Sequence, residues 1–135
     1  MKKTILLLTL IISLFVIDAH AQRKGTIILN ARFSGILDGY DLMNKTVVYV
    51  DGQMAGETTE QLQSKPNSCS VTVPRGKHKL RIVNMAKSDG KWEEHTFANN
   101  YSIDAFYESK MKLRKKQTIN LVFDITREKT IARLD

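Results

Sequence analysis

From Thr26 onward the apolar residues fall mostly on alternate positions, and this period of two outweighs every other signal in the chain. Ile27, Leu29, Ala31 and Phe33 share one side of an extended segment, with Asn30 and Arg32 on the other. Thr46 to Val50 is β-branched and aromatic, and Cys69, Val71 and Val73 alternate again. His78, Leu80 and Ile82 oppose Lys77, Lys79, Arg81 and Val83, and Ile119, Leu121, Phe123 and Ile125 form a last inward row. Alternation of this kind marks strands with one wet and one buried side. Ser34-Gly35, Asp51-Gly52, Pro74-Arg75-Gly76, Ser88-Asp89-Gly90-Lys91 and Arg114-Lys115-Lys116 punctuate the runs as turns. The Asp-Gly at 51–52 suits a tight hairpin, so Gln53 to Gly56 should return antiparallel. Residues 57–68 read as a polar loop and Trp92 to Phe97 as a short strand. Segment 101–116 fits either a helix face (Ile103, Phe106, Tyr107, Met111) or a strand over Glu108 to Leu113, and the strand is preferred. The expected fold is all-β, an antiparallel two-sheet sandwich of about seven strands.

A different pattern precedes it. Lys2 and Lys3 lead an apolar run from Ile5 to Ile17, and Ala19-His20-Ala21 places small residues where a signal peptidase cuts. This layout predicts a signal peptide over 1–21, with Gln22 as the mature start. No cysteine follows the cut for a lipid anchor, and no later apolar stretch approaches the roughly 20 residues that span a bilayer. The chain then divides into the signal peptide (1–21), one sandwich domain (22–125) and a charged, loose tail (126–135). Export to the periplasm or cell surface is expected. Cys69, the single cysteine, cannot make an internal disulfide; its register with Val71 and Val73 reads as a small buried apolar residue, with an intermolecular disulfide or a reactive thiol as the alternatives.

Two segments resemble a known family. Val47-Val48-Tyr49-Val50-Asp51-Gly52 with Gly56-Glu57-Thr58, followed by Val73-Pro74-Arg75-Gly76-Lys77-His78-Lys79-Leu80-Arg81-Ile82, is similar to the hairpin and the later Pro-Gly-His strand of the PEGA domain. Lys24-Gly25-Thr26-Ile27 and Lys116-Gln117-Thr118-Ile119-Asn120-Leu121 resemble its first and last strands. Thr59 stands where that family usually has proline, and Met85-Ala86-Lys87 where it has Gly-Tyr. The resemblance implies a small prealbumin-like sandwich in extracytoplasmic bacterial proteins, and it brings no catalytic residue.

The net charge of +7 favours anionic partners. It is concentrated in two alternating runs, Arg75, Lys77, Lys79, Arg81 and Lys110, Lys112, Arg114, Lys116. In extended chain each run points one way, at about 6.6 Å per pair of residues. If the two runs share a sheet, these eight residues form one cationic face for an acidic glycan, a teichoic-type polymer or a lipopolysaccharide phosphate. Nucleic acid is not expected, because aromatics do not interleave with the basic residues.

Other chemistry finds little to stand on. His78 and His95 have no ligand spacing around them that builds a metal site. His78 falls on the apolar side of its strand as a hydrogen-bonded core or rim residue, while His95, beside Glu93 and Glu94, reads as a surface residue. Glu93 and Glu94, adjacent in a strand, point to opposite faces and cannot pair as glycosidase carboxylates. Trp92, Phe97 and Tyr101 are expected in the core. A hydrolase would need a deep pocket joining one of the histidines to a carboxylate. The reading that results is an exported, non-enzymatic structural or binding module of the bacterial envelope, needing no cofactor and no membrane anchor after signal cleavage, and holding an envelope polysaccharide or protein partner. The competing reading is a secreted inhibitor or adhesin-like subunit acting through the 57–68 loop.

Overall fold

The computed structural model describes residues 22–135; the signal peptide expected over 1–21 lies outside the described residues. Within them the chain runs β1 (Lys24–Ser34), β2 (Met43–Val50), β3 (Gln53–Glu57), β4 (Gln61–Leu62), β5 (Asn67–Pro74), β6 (Gly76–Ser88), β7 (Lys91–Glu94), a 3-10 turn (Phe97–Asn99), β8 (Phe106–Leu113), β9 (Lys116–Asp124) and β10 (Lys129–Leu134). The strands form two sheets, one ordered β10-β9-β1-β5 and the other built on β3-β2-β6. In the second sheet β7 and β8 both pair with β6, and β4 pairs with the start of β2. This is the all-β sandwich that the alternation predicts.

The inward rows meet between the sheets. Ile27, Leu29 and Ala31 of β1, Val71 and Val73 of β5, and Ile119, Leu121 and Phe123 of β9 pack on Val48, Val50, Leu80 and Ile82, with Leu113, Ile103 and Ala105 sealing the sides. Alternate residues bury because each strand shows one face to this middle, and that burial drives the fold. Ile103 enters this core from an irregular segment, while Phe106–Leu113 is strand, as preferred.

Both Asp-Gly turns close two-residue hairpins. Val50 pairs with Gln53 across Asp51-Gly52, and Ser88 pairs with Lys91 across Asp89-Gly90. All four turn residues have positive φ (51°, 82°, 48° and 77°), the geometry whose twist matches the flanking strands. Gly56 is required for a different reason. A Cβ there would sit 2.3 Å from Val71 Cγ1, so β3 lies close against the first sheet.

The sheets are antiparallel, as expected, at every strand contact among the described residues but one: β1 and β9 run parallel from Thr26↔Lys116 to Ser34↔Asp124. Two expectations are corrected. The tail is not loose: Lys129–Leu134 forms β10 against β9, and the Asp135 N–H and C=O both bond to Thr118. The polar stretch 57–68 is pinned rather than free. Thr58 exchanges bonds with Thr46 (N–H to O and Oγ1, 2.9 Å each), Gln61–Leu62 pairs with β2, and Thr58, Gln63 and Asn67 are buried.

Candidate functional site

The register of β6 against β8 decides where the basic residues go. Lys77 stands opposite Lys112, and Lys79 opposite Lys110. Odd-numbered β6 residues and even-numbered β8 residues share the outer face, so the four ammonium groups occupy two successive rungs of one face. All four are exposed, and among the described residues none forms an ion pair. An open hollow of about 430 Å³ lies between them, bordered also by His78 and Met111. Like charges directly across a sheet repel, so these rungs carry an uncompensated positive potential.

The other four predicted cations do not join this face. On the next rung Arg81 lies opposite Glu108 and is neutralised there. Its guanidinium donates Nη1 and Nη2 to both oxygens of Glu94 (2.9 and 2.8 Å) and Nε to Glu108 (3.1 Å). Those carboxylates, Glu94 foremost, hold it more firmly protonated than an ordinary arginine. Arg75 lies where the chain passes from β5 to β6, and so from one sheet to the other; its Nε donates to Lys24 O at 2.9 Å. Arg114 sits in the crossing from β8 to β9, and Lys116 pairs with Thr26 in the first sheet. Strict alternation carries a face only as far as the strand stays in its sheet, and both runs overshoot a sheet crossing.

Asp51 of the β2–β3 turn, Pro74 at the end of β5 and His78 near the start of β6 meet in one place. His78 Nδ1 bonds Asp51 Oδ2 and Nε2 bonds the Pro74 carbonyl, both at 2.6 Å, while Asp51 Oδ1 accepts the Lys79 N–H at 2.8 Å. Two acceptors on one ring favour the imidazolium, so His78 titrates above its ordinary value, chiefly through Asp51. Asp51 is lowered in turn, mainly by His78 and then by the Lys79 amide. This bridge ties the β2–β3 turn to β6 and to the end of β5, a structural task.

His95 is not the surface residue its acidic neighbours suggest. It is 3% exposed, held by Asn84 O accepting its N–H (2.9 Å) and by Ala105 N–H donating to its carbonyl (2.8 Å). Its ring stacks on Tyr101 at 4.2 Å and lies 5.1 Å from Phe33. Burial lowers its pKa to about 4, so the ring is neutral. The expected aromatic core is also revised. Trp92 lies on the outer face under Lys45 and Lys87, with Nζ at 4.9 and 5.5 Å from a ring centroid, and Phe97 is 53% exposed. Tyr101 donates its hydroxyl to Glu93 at 2.7 Å. Cys69 is half-buried against the core, and its desolvated thiol is shifted upward. Among the described residues no group of three or more His, Cys, Asp or Glu side chains is placed to hold a metal ion, and no helix is long and apolar enough to cross a membrane.

No protein-family model matches the chain, and no curated protein does. Solved structures with partial likeness include suilysin from Streptococcus suis (12% identity, TM-score 0.37, covering 84% of this chain and 23% of that one). Pneumolysin (12%, 0.37, 84% and 24%) and listeriolysin O (13%, 0.33, 84% and 23%) stand at the same level. The chain thus spans about a quarter of the length of these structures, and overlap this slight carries no functional weight.

Proposed function

We propose that this chain is an exported, non-enzymatic binding module of the bacterial cell envelope, and that it holds an anionic polymer on the Lys77, Lys79, Lys110 and Lys112 face. The observation that supports the reading is the pairing of like charges, Lys77 with Lys112 and Lys79 with Lys110, with no carboxylate among the described residues answering any of them. Lysines on an exposed edge strand also discourage strand-to-strand aggregation. That explains Lys110 and Lys112 on β8. It does not explain Lys79, whose N–H and C=O are both taken by Asp51 just past the end of β2; Lys77 lies beyond the last β2–β6 pair, Val50↔Leu80, with β8 alone beside it. Adding Lys79 opposite Lys110 only raises repulsion, which a multivalent anion would relieve. Rungs about 6.6 Å apart suit a chain of regularly spaced phosphates or carboxylates.

The test is retention of the purified protein on a polyanionic matrix such as heparin- or polyphosphate-agarose. Reversal of all four lysines to glutamate should bring elution down to low salt, since exposed charge contacts are screened within about a Debye length. Reversal of four exposed cations off the face, Lys65, Lys91, Lys129 and Arg133, changes the net charge equally and should shift elution far less. Equal shifts for the two sets would reduce the effect to net charge and remove the reading.

A further inference from the structure

One side of the sandwich is both open and uncharged. β5 ends the first sheet, with β1 on one flank and, among the described residues, no strand bonded on the other. Parity shows which of its backbone groups are free. The Thr26 N–H donates to Lys115 O at 3.0 Å, so Thr26, Ile28 and Asn30 of β1 bond toward β9. The odd residues of β1 then bond toward β5, because successive residues of a strand turn their N–H and C=O to opposite sides. Opposite those odd residues stand Val71, Cys69 and Asn67. In the same parity the Arg75 N–H reaches Arg23 O at 2.8 Å. Ser68, Ser70 and Thr72 are left with N–H and C=O turned outward. All three are exposed, and none has a backbone partner there among the described residues.

Such an edge is a template for another strand, and proteins guard it with charge, brevity or a bulge. The other edges of this molecule are guarded in these ways. β10 carries Lys129 and Arg133, β8 carries Lys110 and Lys112, and β7 carries Lys91, Glu93 and Glu94. β4 has two residues, and β3 bulges at Ala55, where the register passes from Val48↔Gly56 to Tyr49↔Met54. The eight residues of β5, Asn67–Pro74, hold no charge at all. Its surroundings are neutral too. β3 lies against it through Gly56 and Val71. The one charge in Gln53–Glu57 is Glu57, answered by Lys45 at 3.1 Å, and Met54 is 61% exposed. Copies of a chain with net charge +7 repel one another over most of their surface, and this side is where they can meet.

The strand also matches itself. Turned antiparallel about Ser70, Ser68 meets Thr72 and Ser70 meets Ser70. Hydroxyl stands beside hydroxyl on the outer face, and each of these three rungs exchanges two backbone bonds. On the inner face Cys69 meets Val71, apolar beside apolar. Pro66 and Pro74 stand four residues to either side of Ser70, so a register slipped by two residues sets a ring without an N–H against the partner. A foreign strand finds no charge here to select it, whereas a second copy of this chain finds its own complement.

We propose that the chain forms a two-fold dimer by joining β5 to β5 with Ser70 on the axis, merging two four-stranded sheets into one. The lysine face belongs to the other sheet, so the dimer does not depend on the polymer reading.

Sedimentation equilibrium of the purified protein in about 0.15 M salt tests this. The seam is small, so dimers should prevail at about 200 µM and dissociate at about 2 µM. Ser70→Lys sets two ammonium groups across the axis and should weaken the association at least about tenfold. Asn30→Lys adds the same charge on the same face, one strand inward, and should leave it nearly unchanged. Two cysteine variants read the register. In a Cys69→Ala background, Ser70→Cys brings two Cα atoms about 5.5 Å apart, within reach of a disulfide, and mild oxidation should yield a covalent dimer. Ser68→Cys in that background leaves its two copies about 13 Å apart along the strands and should yield none. A monomer at about 200 µM, a dimer that Ser70→Lys leaves intact or Asn30→Lys breaks as readily, or equal cross-linking by the two cysteine variants overturns the assignment.

Discussion

His78 and His95 sit at opposite ends of the β6 neighbourhood, roughly 20 Å apart by strand rise, and they make opposite demands on the proton. His78 is favoured as a cation by Asp51 and Pro74. Its contribution is fully present below the ordinary histidine value near 6.5 and fades as pH rises through its raised value. Asp51 works the other way, contributing above its ordinary 3.8 and losing its contribution as pH falls through its lowered value. His95 is buried neutral, so the unfolded chain takes up a proton that the folded chain refuses as pH falls from 6.5 toward about 4. Over that window the loss approaches about 3 kcal/mol. Urea denaturation between pH 7 and pH 4.5 should show this decline, and His95→Phe should flatten it; the same slope in both proteins would mean that His95 is not buried neutral. The two residues also show what a sequence discloses. His78 keeps step with Leu80 and Ile82, and its half-buried, bonded position could be read from that. His95 follows two glutamates, and what buries it comes from Phe33, Gln63 and Tyr101, none of them a sequence neighbour.

Among the elements, the hairpins were legible and the lysine rungs only partly so. Asp-Gly demands positive φ at both turn positions, a local requirement, so the β2–β3 and β6–β7 turns follow from residue type alone. The pairing of β6 with β8 spans about 30 residues of chain, and nothing local sets which lysine meets which. Parity within each strand placed Lys77 with Lys79 and Lys110 with Lys112. It could not show that Arg81 meets Glu94 and Glu108, or that Arg114 and Lys116 lie past the crossing to the other sheet. The rungs make a prediction of their own. Lys77→Glu with Lys79→Glu turns two repelling cross-strand pairs into two attracting ones. The double variant should melt about 2–5 °C higher while losing polyanion retention. A melting temperature unchanged or lowered in low-salt buffer would show that the four ammonium groups do not strain the folded state.

For the whole molecule, alternation gave the layered β architecture and the inward rows, but it is blind to strand direction and to strands whose partners are distant. The charged composition of Thr126 to Asp135 reads as a tail, yet Ala132 packs against the core and β10 shields the edge of β9. Ending the chain at Ile125 should therefore leave β9 as an open edge, beside which a second copy could pair. Size-exclusion chromatography should show larger species for the truncated protein than for the full chain, with reduced thermal stability. A monodisperse product melting like the full chain would mean that β10 contributes nothing to closing the sheet.

The parallel contact between β1 and β9 has an implication for how the protein is born. The middle of its sheet joins the first strand of the domain to the ninth, so Ile27 and Leu29 wait for Ile119 and Leu121 through almost the entire synthesis of the chain. Pairings that distant in sequence are slow to form. A nascent chain halted before residue 116 would hold the β2–β3 and β6–β7 hairpins but not this half of the sandwich, and its greasy first strand would need shelter until the last part arrived.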